Sequence, residues 1–196
     1  METKAITLTI VFAALTVALN PDISRIAFPA PYAPFLIYQI WEIPIVAAFL
    51  IINWKSAVAV AGLNAVVLFA VFQGASPLGP VYNLAAILSM LLGIYIAHIL
   101  FYRKPSGETW RYNTKLAVGY TALGITFRVI IMALVNYVTL QYPPPVGFSI
   151  PQPVAVDYYV PVTSIFNGTL ALYTILIGYS IALIINRNLR HASTSR

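Results

Sequence analysis

Two charged residues stand inside otherwise apolar runs of this chain. Arg128 lies in Gly124-Ile125-Thr126-Phe127-Arg128-Val129-Ile130, and Glu42 in Ile40-Trp41-Glu42-Ile43-Pro44. A charge at the centre of a bilayer costs about 2.5–3.5 kcal/mol on insertion scales, so it faces a bundle interior and requires a partner. Glu42 is the one acid within an apolar run, which makes it the natural partner of Arg128. Two readings of the pair stand side by side: a structural ion pair, or charges of which one or both touch a ligand.

Three amides form a second constellation. Asn83 falls near the start of one apolar run, Asn136 late in another and Asn167 early in the last. If successive runs cross a membrane in alternating directions, the three share one depth near the same face. An amide offers two donors and an acceptor without charge, which suits a neutral heteroaromatic ligand carrying alternating donors and acceptors. The competing reading is interhelical hydrogen bonding, worth roughly 0.6 kcal/mol each in membranes. Asn64, mid-run in the third segment, is assigned to that second role. Thr163, Asn167, Leu170 and Thr174 share a helical face, as do Asn83, Ile87, Met90 and Ile94. Such stripes make either plain helix packing or a mostly apolar pocket with a few polar anchors. Ala14 and Ala18 are a small-xxx-small pair, a surface that another helix can approach closely.

Several chemistries are disfavoured. There is no cysteine, so disulfides and thiol catalysis are excluded. No Gly-rich phosphate loop ending in Gly-Lys-Ser/Thr occurs, so ATP is not hydrolysed by that route. The five acids are Glu2, Asp22, Glu42, Glu108 and Asp157, and no two share an apolar run, which argues against paired-carboxylate or two-metal catalysis. His98 and His191 have no acid or serine motif beside them. No enzyme, metal site or cofactor is expected, and His98 reads as an interfacial residue.

The elements that must position these residues follow from hydropathy. Of 196 residues 60% are hydrophobic and 8% charged, with mean hydropathy +0.85, whereas a soluble domain keeps about 25% charged. The apolar runs approach the roughly 20 residues that cross a bilayer core. We expect an all-α membrane protein in one domain, 1–196, with six transmembrane helices at about 5–20, 35–52, 57–73, 81–102, 116–140 and 161–186. The first run, Ala5 to Leu19, is read as a retained span rather than a cleaved signal peptide. Six spans put Lys4, Lys55, Arg103, Lys104, Arg111, Lys115, Arg187, Arg190 and Arg196 on one side and Arg25 on the other. That bias makes both termini cytoplasmic in a multi-pass cell-membrane protein. The net charge of +6 is thus a topology signal, and nucleic acid is not an expected partner. The opposite face carries proline-rich loops, Asn20 to Pro34 and Gln141 to Val160, stiff enough to act as lids.

The stretch RVIIMALVNYVTL, Arg128 to Leu140, resembles the fifth helix of S components of energy-coupling-factor (ECF) vitamin transporters, particularly the riboflavin-specific members. PVTSIFNGTLAL resembles the Pro-x-x-x-Phe-Asn start of their sixth helix, and PLGPVYNLAAIL the Gly-x-x-x-Asn start of their fourth. Ala14 and Ala18 match the alanine pair by which S components dock on the shared coupling protein. The resemblance implies a six-helix subunit that captures a vitamin from outside, riboflavin first among them. It implies as partners a transmembrane coupling protein and two cytoplasmic ATPases. Asn83, Asn136 and Asn167 would then contact the ligand, with Glu42, Arg128 and Thr163 beside them. One position departs: riboflavin members carry a lysine one turn after the helix-six asparagine, where this sequence has Leu170. Another flat vitamin or nucleobase-like compound stays open. So do a ligand-free scaffold subunit and, last, an intramembrane lipid-modifying enzyme.

Overall fold

The computed structural model describes residues 3–71, 77–101 and 114–194. Most of the expected polar segment from Arg103 to Lys115, and the turn residues Gln73 to Ser76, lie outside the described residues.

The chain begins with helix α1 (Thr3–Ala18) and a single turn, α2 (Pro21–Ser24). Asn20 caps that turn, its side-chain oxygen accepting from the Asp22 amide at 3.1 Å, and Pro21 supplies the helical φ at its first position. A two-stranded antiparallel hairpin follows, β1 (Phe28–Ala30) and β2 (Ala33–Tyr38), before the short helix α3 (Ile43–Ile51). Four long helices complete the bundle: α4 (Trp54–Val71), α5 (Gly79–Phe101), α6 (Thr114–Thr139) and α8 (Val160–Thr194). A helical turn, α7 (Gln152–Val154), and a π-turn over Ala155–Tyr159 lead into α8. Residues 54–71, 79–101, 115–139 and 152–185 are long and apolar enough to cross a membrane, and Thr3–Ala18 is a shorter apolar helix. The chain is therefore a multi-pass helical membrane protein.

The run Phe35 to Ile52, expected as one spanning helix, is corrected here. Its first part is strand β2, and only nine residues are helical. At 1.5 Å per residue α3 is about 14 Å long, roughly half a hydrocarbon core. Prolines at 29, 31 and 34 deny the segment helical hydrogen bonds. Aromatic and branched side chains from Phe35 to Tyr38 then suit a pleated strand. Pro44 sits in the first turn of α3, where its missing N–H is harmless.

The order of packing is α4–α5–α6–α8, with α3 closing the ring between α8 and α4, and α1 lying on α3 and α4. Trp41 through Phe49 are all buried, so this short helix is the centre of the bundle rather than a wall. Two of the glycines show how closely the helices approach. A Cβ on Gly93 would fall 2.3 Å from the Leu123 carbonyl oxygen, so α5 and α6 touch backbone to backbone there. A Cβ on Gly178 would meet the Val46 side chain at 2.9 Å, which fixes how near α8 comes to α3.

Candidate functional site

Helix α3 begins at Glu42, whose carboxylate makes no capping bond of its own. It turns instead to Arg128, near the middle of α6. Arg128 Nη2 donates to Glu42 Oε1 at 3.0 Å, and Nη1 donates to Oε2. The pair is bidentate, the geometry that suits a planar guanidinium best. Glu42 is 0% exposed and Arg128 2%. The carboxylate also sits at a helix N-terminus, where partial positive charge favours an anion.

The same guanidinium reaches a second helix. Its Nε donates to Asn167 Oδ1 at 3.0 Å, and Nη1 makes a weaker contact with Met90 Sδ at 3.7 Å. Asn167 Nδ2 donates back to the Thr163 carbonyl at 2.9 Å, one turn earlier on α8. The Thr163 hydroxyl donates to the Tyr159 carbonyl at 2.8 Å and accepts from Asn136 Nδ2 at 3.0 Å. Glu42, Arg128, Asn167, Thr163 and Asn136 thus form one connected chain across α3, α6 and α8.

Asn83 is not in this chain. It stands one turn into α5, half-buried, with no side-chain hydrogen bond among the described residues. Asn136 spends its amide N–H on Thr163, and its Oδ1 has no partner among the described residues. The two ends of Asn167, by contrast, are both engaged and the residue is 5% exposed. Ala14 and Ala18 are exposed on one face of α1, uncovered by any described helix of this chain.

Residues outside the expected set complete the surroundings. The Tyr173 hydroxyl accepts from the Gln39 amide at 3.0 Å and donates to the Gln39 carbonyl at 2.7 Å. It thereby satisfies both backbone groups where β2 gives way to the α3 turn. Without that, polar backbone at membrane depth would be costly. Tyr38 stacks on Phe166 with centroids 5.1 Å apart, and its hydroxyl lies 2.8 Å from that of Tyr32 and 3.0 Å from Thr169 Oγ1. The hairpin is thereby pinned to α8. Beneath it, Ala30, Phe166 and Leu170 form a small apolar cluster, with Leu170 fully buried. The signal for this group was Tyr32, Tyr38 and Gln39 inside an apolar stretch, which hydropathy alone does not resolve.

One assignment changes. Asn64, expected to bond between helices, is 1% exposed with neither amide atom partnered among the described residues. His98, half-buried in the last turn of α5, has a partner in the bundle: its Nδ1 lies 2.7 Å from the Tyr120 hydroxyl, with the two rings stacked. No group of three potential metal ligands occurs among the described residues.

No family model and no curated protein matches the sequence. Among solved structures, the S component of a bacterial ECF transporter superposes with a TM-score of 0.65 and 19% identity. The match covers 97% of this chain and 98% of that one. The two share a fold from end to end.

Proposed function

We propose that this chain is the substrate-capturing subunit of an ECF-type importer, taking a vitamin from outside and delivering it inwards with a transmembrane coupling protein and two cytoplasmic ATPases. The observation that carries the reading is the likeness to an S component over nearly the whole of both chains. The absence of a phosphate loop in the sequence agrees with energy being supplied by another subunit. Both termini then lie in the cytoplasm, six crossings are made up by the hairpin and α3 together with the other helices, and the exposed Ala14 and Ala18 face of α1 meets the coupling protein.

The side chains divide the site into two parts. Asn83 and Asn136 keep hydrogen-bonding capacity in hand and are the ligand contacts. Asn167, Arg128 and Glu42 have spent theirs on one another and hold α3, α6 and α8 in register. A flat heteroaromatic ligand with an edge of donors and acceptors fits the amides. Riboflavin is the first candidate. Leu170 sits in an apolar cluster where riboflavin members carry a lysine, so no cation is offered at that point.

Mass spectrometry of small molecules released from the purified protein is the direct test, followed by titration with riboflavin and related vitamins. The reading expects a bound vitamin at nanomolar affinity, and Asn136→Ala to weaken it by one or more kcal/mol, or about five-fold upward. A protein that carries and binds no vitamin sinks it. That outcome favours a scaffold subunit, the alternative to which the self-satisfied Glu42–Arg128–Asn167 network also lends support.

A further inference from the structure

A groove of about 260 Å³ opens where α3 ends and α4 begins, and it shares no residue with the Glu42–Arg128 network. Phe49 and Leu91, 7% and 4% exposed, are its floor. Leu88, Leu92 and Tyr95 of α5 form one wall, rising over two helical turns, about 10 Å along the axis. Trp54 stands at the open end, its ring 5.6 Å from that of Tyr95. Tryptophan and tyrosine gather at the level of lipid headgroups, so this end of the groove lies at a membrane surface and the rest among acyl chains. Beside it the exposed Lys55 ammonium lies 5.8 Å from the Trp54 ring centroid, with no ion pair among the described residues.

We propose that the groove holds one acyl chain of an anionic phospholipid whose phosphate is bound by Lys55. Its walls offer almost no polar atoms to orient a polar ligand. Its volume falls just under the roughly 300–1,000 Å³ of sites for drug-sized molecules, which suits a single hydrocarbon chain. Among the described residues the cation at the mouth has no counter-charge, and a lipid phosphate at headgroup level supplies one at the right depth. The aromatic rim shields that contact from water on one side.

Native mass spectrometry of the full chain, released from nanodiscs of equal phosphatidylglycerol and phosphatidylcholine, reads this directly. One lipid per chain is expected to persist, with phosphatidylglycerol favoured about five-fold, the effect of a single lysine at an anionic surface. Lys55→Ala, at an exposed position, is expected to keep the lipid and lose the preference. Leu92→Trp, which fills the groove from a position 43% exposed, is expected to lose the lipid at unchanged melting temperature. Val58→Trp serves the same purpose if Leu92→Trp does not fold. Equal retention of both lipids by the unsubstituted chain overturns the proposal, as does retention that survives the filled groove. A dimer that the filling substitution dissociates also overturns it, since the occupant is then a second copy.

Discussion

Removing one partner of the Glu42–Arg128 pair should harm this fold far more than removing both. The exposures, 0% and 2%, leave no route by which water could solvate a stranded charge. Glu42→Gln keeps the shape and deletes the negative charge, leaving a buried guanidinium whose close acceptors, the new amide oxygen and Asn167 Oδ1, are both neutral. Stranding a buried charge in this way typically costs about 3–5 kcal/mol. Coulomb's law with an effective dielectric near 20 gives about 4 kcal/mol for charges about 4 Å apart, a concordant figure. Arg128→Met, which strands the carboxylate, should cost a similar amount. The double substitution Glu42→Leu with Arg128→Met strands no charge, though it leaves the Asn167 amide oxygen without its donor, and is expected within about 1–3 kcal/mol of the parent. The assay is reversible unfolding in mixed micelles, followed by helical circular dichroism, with Glu42→Leu also measured alone so that the double-mutant cycle closes. The coupling energy should persist from low to high salt, because the pair is beyond the reach of screening ions. Single substitutions that each cost under about 1 kcal/mol, or losses that simply add, would refute the argument.

Four further outcomes follow from particular positions. Gly93→Val should destabilise by at least about 1–3 kcal/mol in the same unfolding assay, because its new Cβ would sit 2.3 Å from the Leu123 carbonyl oxygen. Gly62→Ala, where nothing lies within 4 Å, should be close to neutral. Asn64→Leu should raise stability by about 1–3 kcal/mol, since a buried amide without a partner is replaced by an apolar side chain of similar size; a loss of stability would mean that the amide is bonded. Tyr173→Phe should cost about 1–3 kcal/mol, and speed hydrogen exchange at the Gln39 amide, because two backbone groups lose their partner.

The parts of this molecule that hydropathy marks plainly are the ones set by the membrane's demand for apolar length. Helices α4, α5, α6 and α8 are long uniform runs in which period hardly matters. The hairpin and α3 are a different case. In a run apolar throughout, a strand and a helix bury similar side chains, so neither the alternation of two nor the period of 3.6 stands out. What distinguished them was local: three prolines within the hairpin, the aromatics of β2, and Gln39 and Glu42 interrupting the run. Those signals mark turns and polar needs, but not the partner that meets the needs. Tyr173 lies 134 residues beyond Gln39 and satisfies it only once α8 is in place.

The polar residues show the same division between need and partner. A lone acid and a lone base in apolar runs each require a counter-charge, and with one candidate apiece the pairing of Glu42 with Arg128 is close to forced. The asparagines carried no such constraint. Equal depth suggested that all three converge, yet Asn136 and Asn167 are linked through Thr163 while Asn83 stands apart. Depth is one coordinate, and the azimuth of each helix is set by packing. The Gly178 approach that brings α8 onto α3 helps turn Asn167 toward Arg128 rather than toward α5. The guanidinium therefore does two jobs at once. It neutralises Glu42 at the head of the buried helix, and it consumes the amide oxygen that equal depth had offered to a ligand. On the proposed reading a ligand is held by Asn136 and Asn83, the amides that keep bonding capacity. To engage Asn167 it must supply an acceptor that replaces the amide oxygen at Arg128 Nε, and Asn167→Ala should then lower stability and affinity together, whereas Asn83→Ala lowers affinity alone.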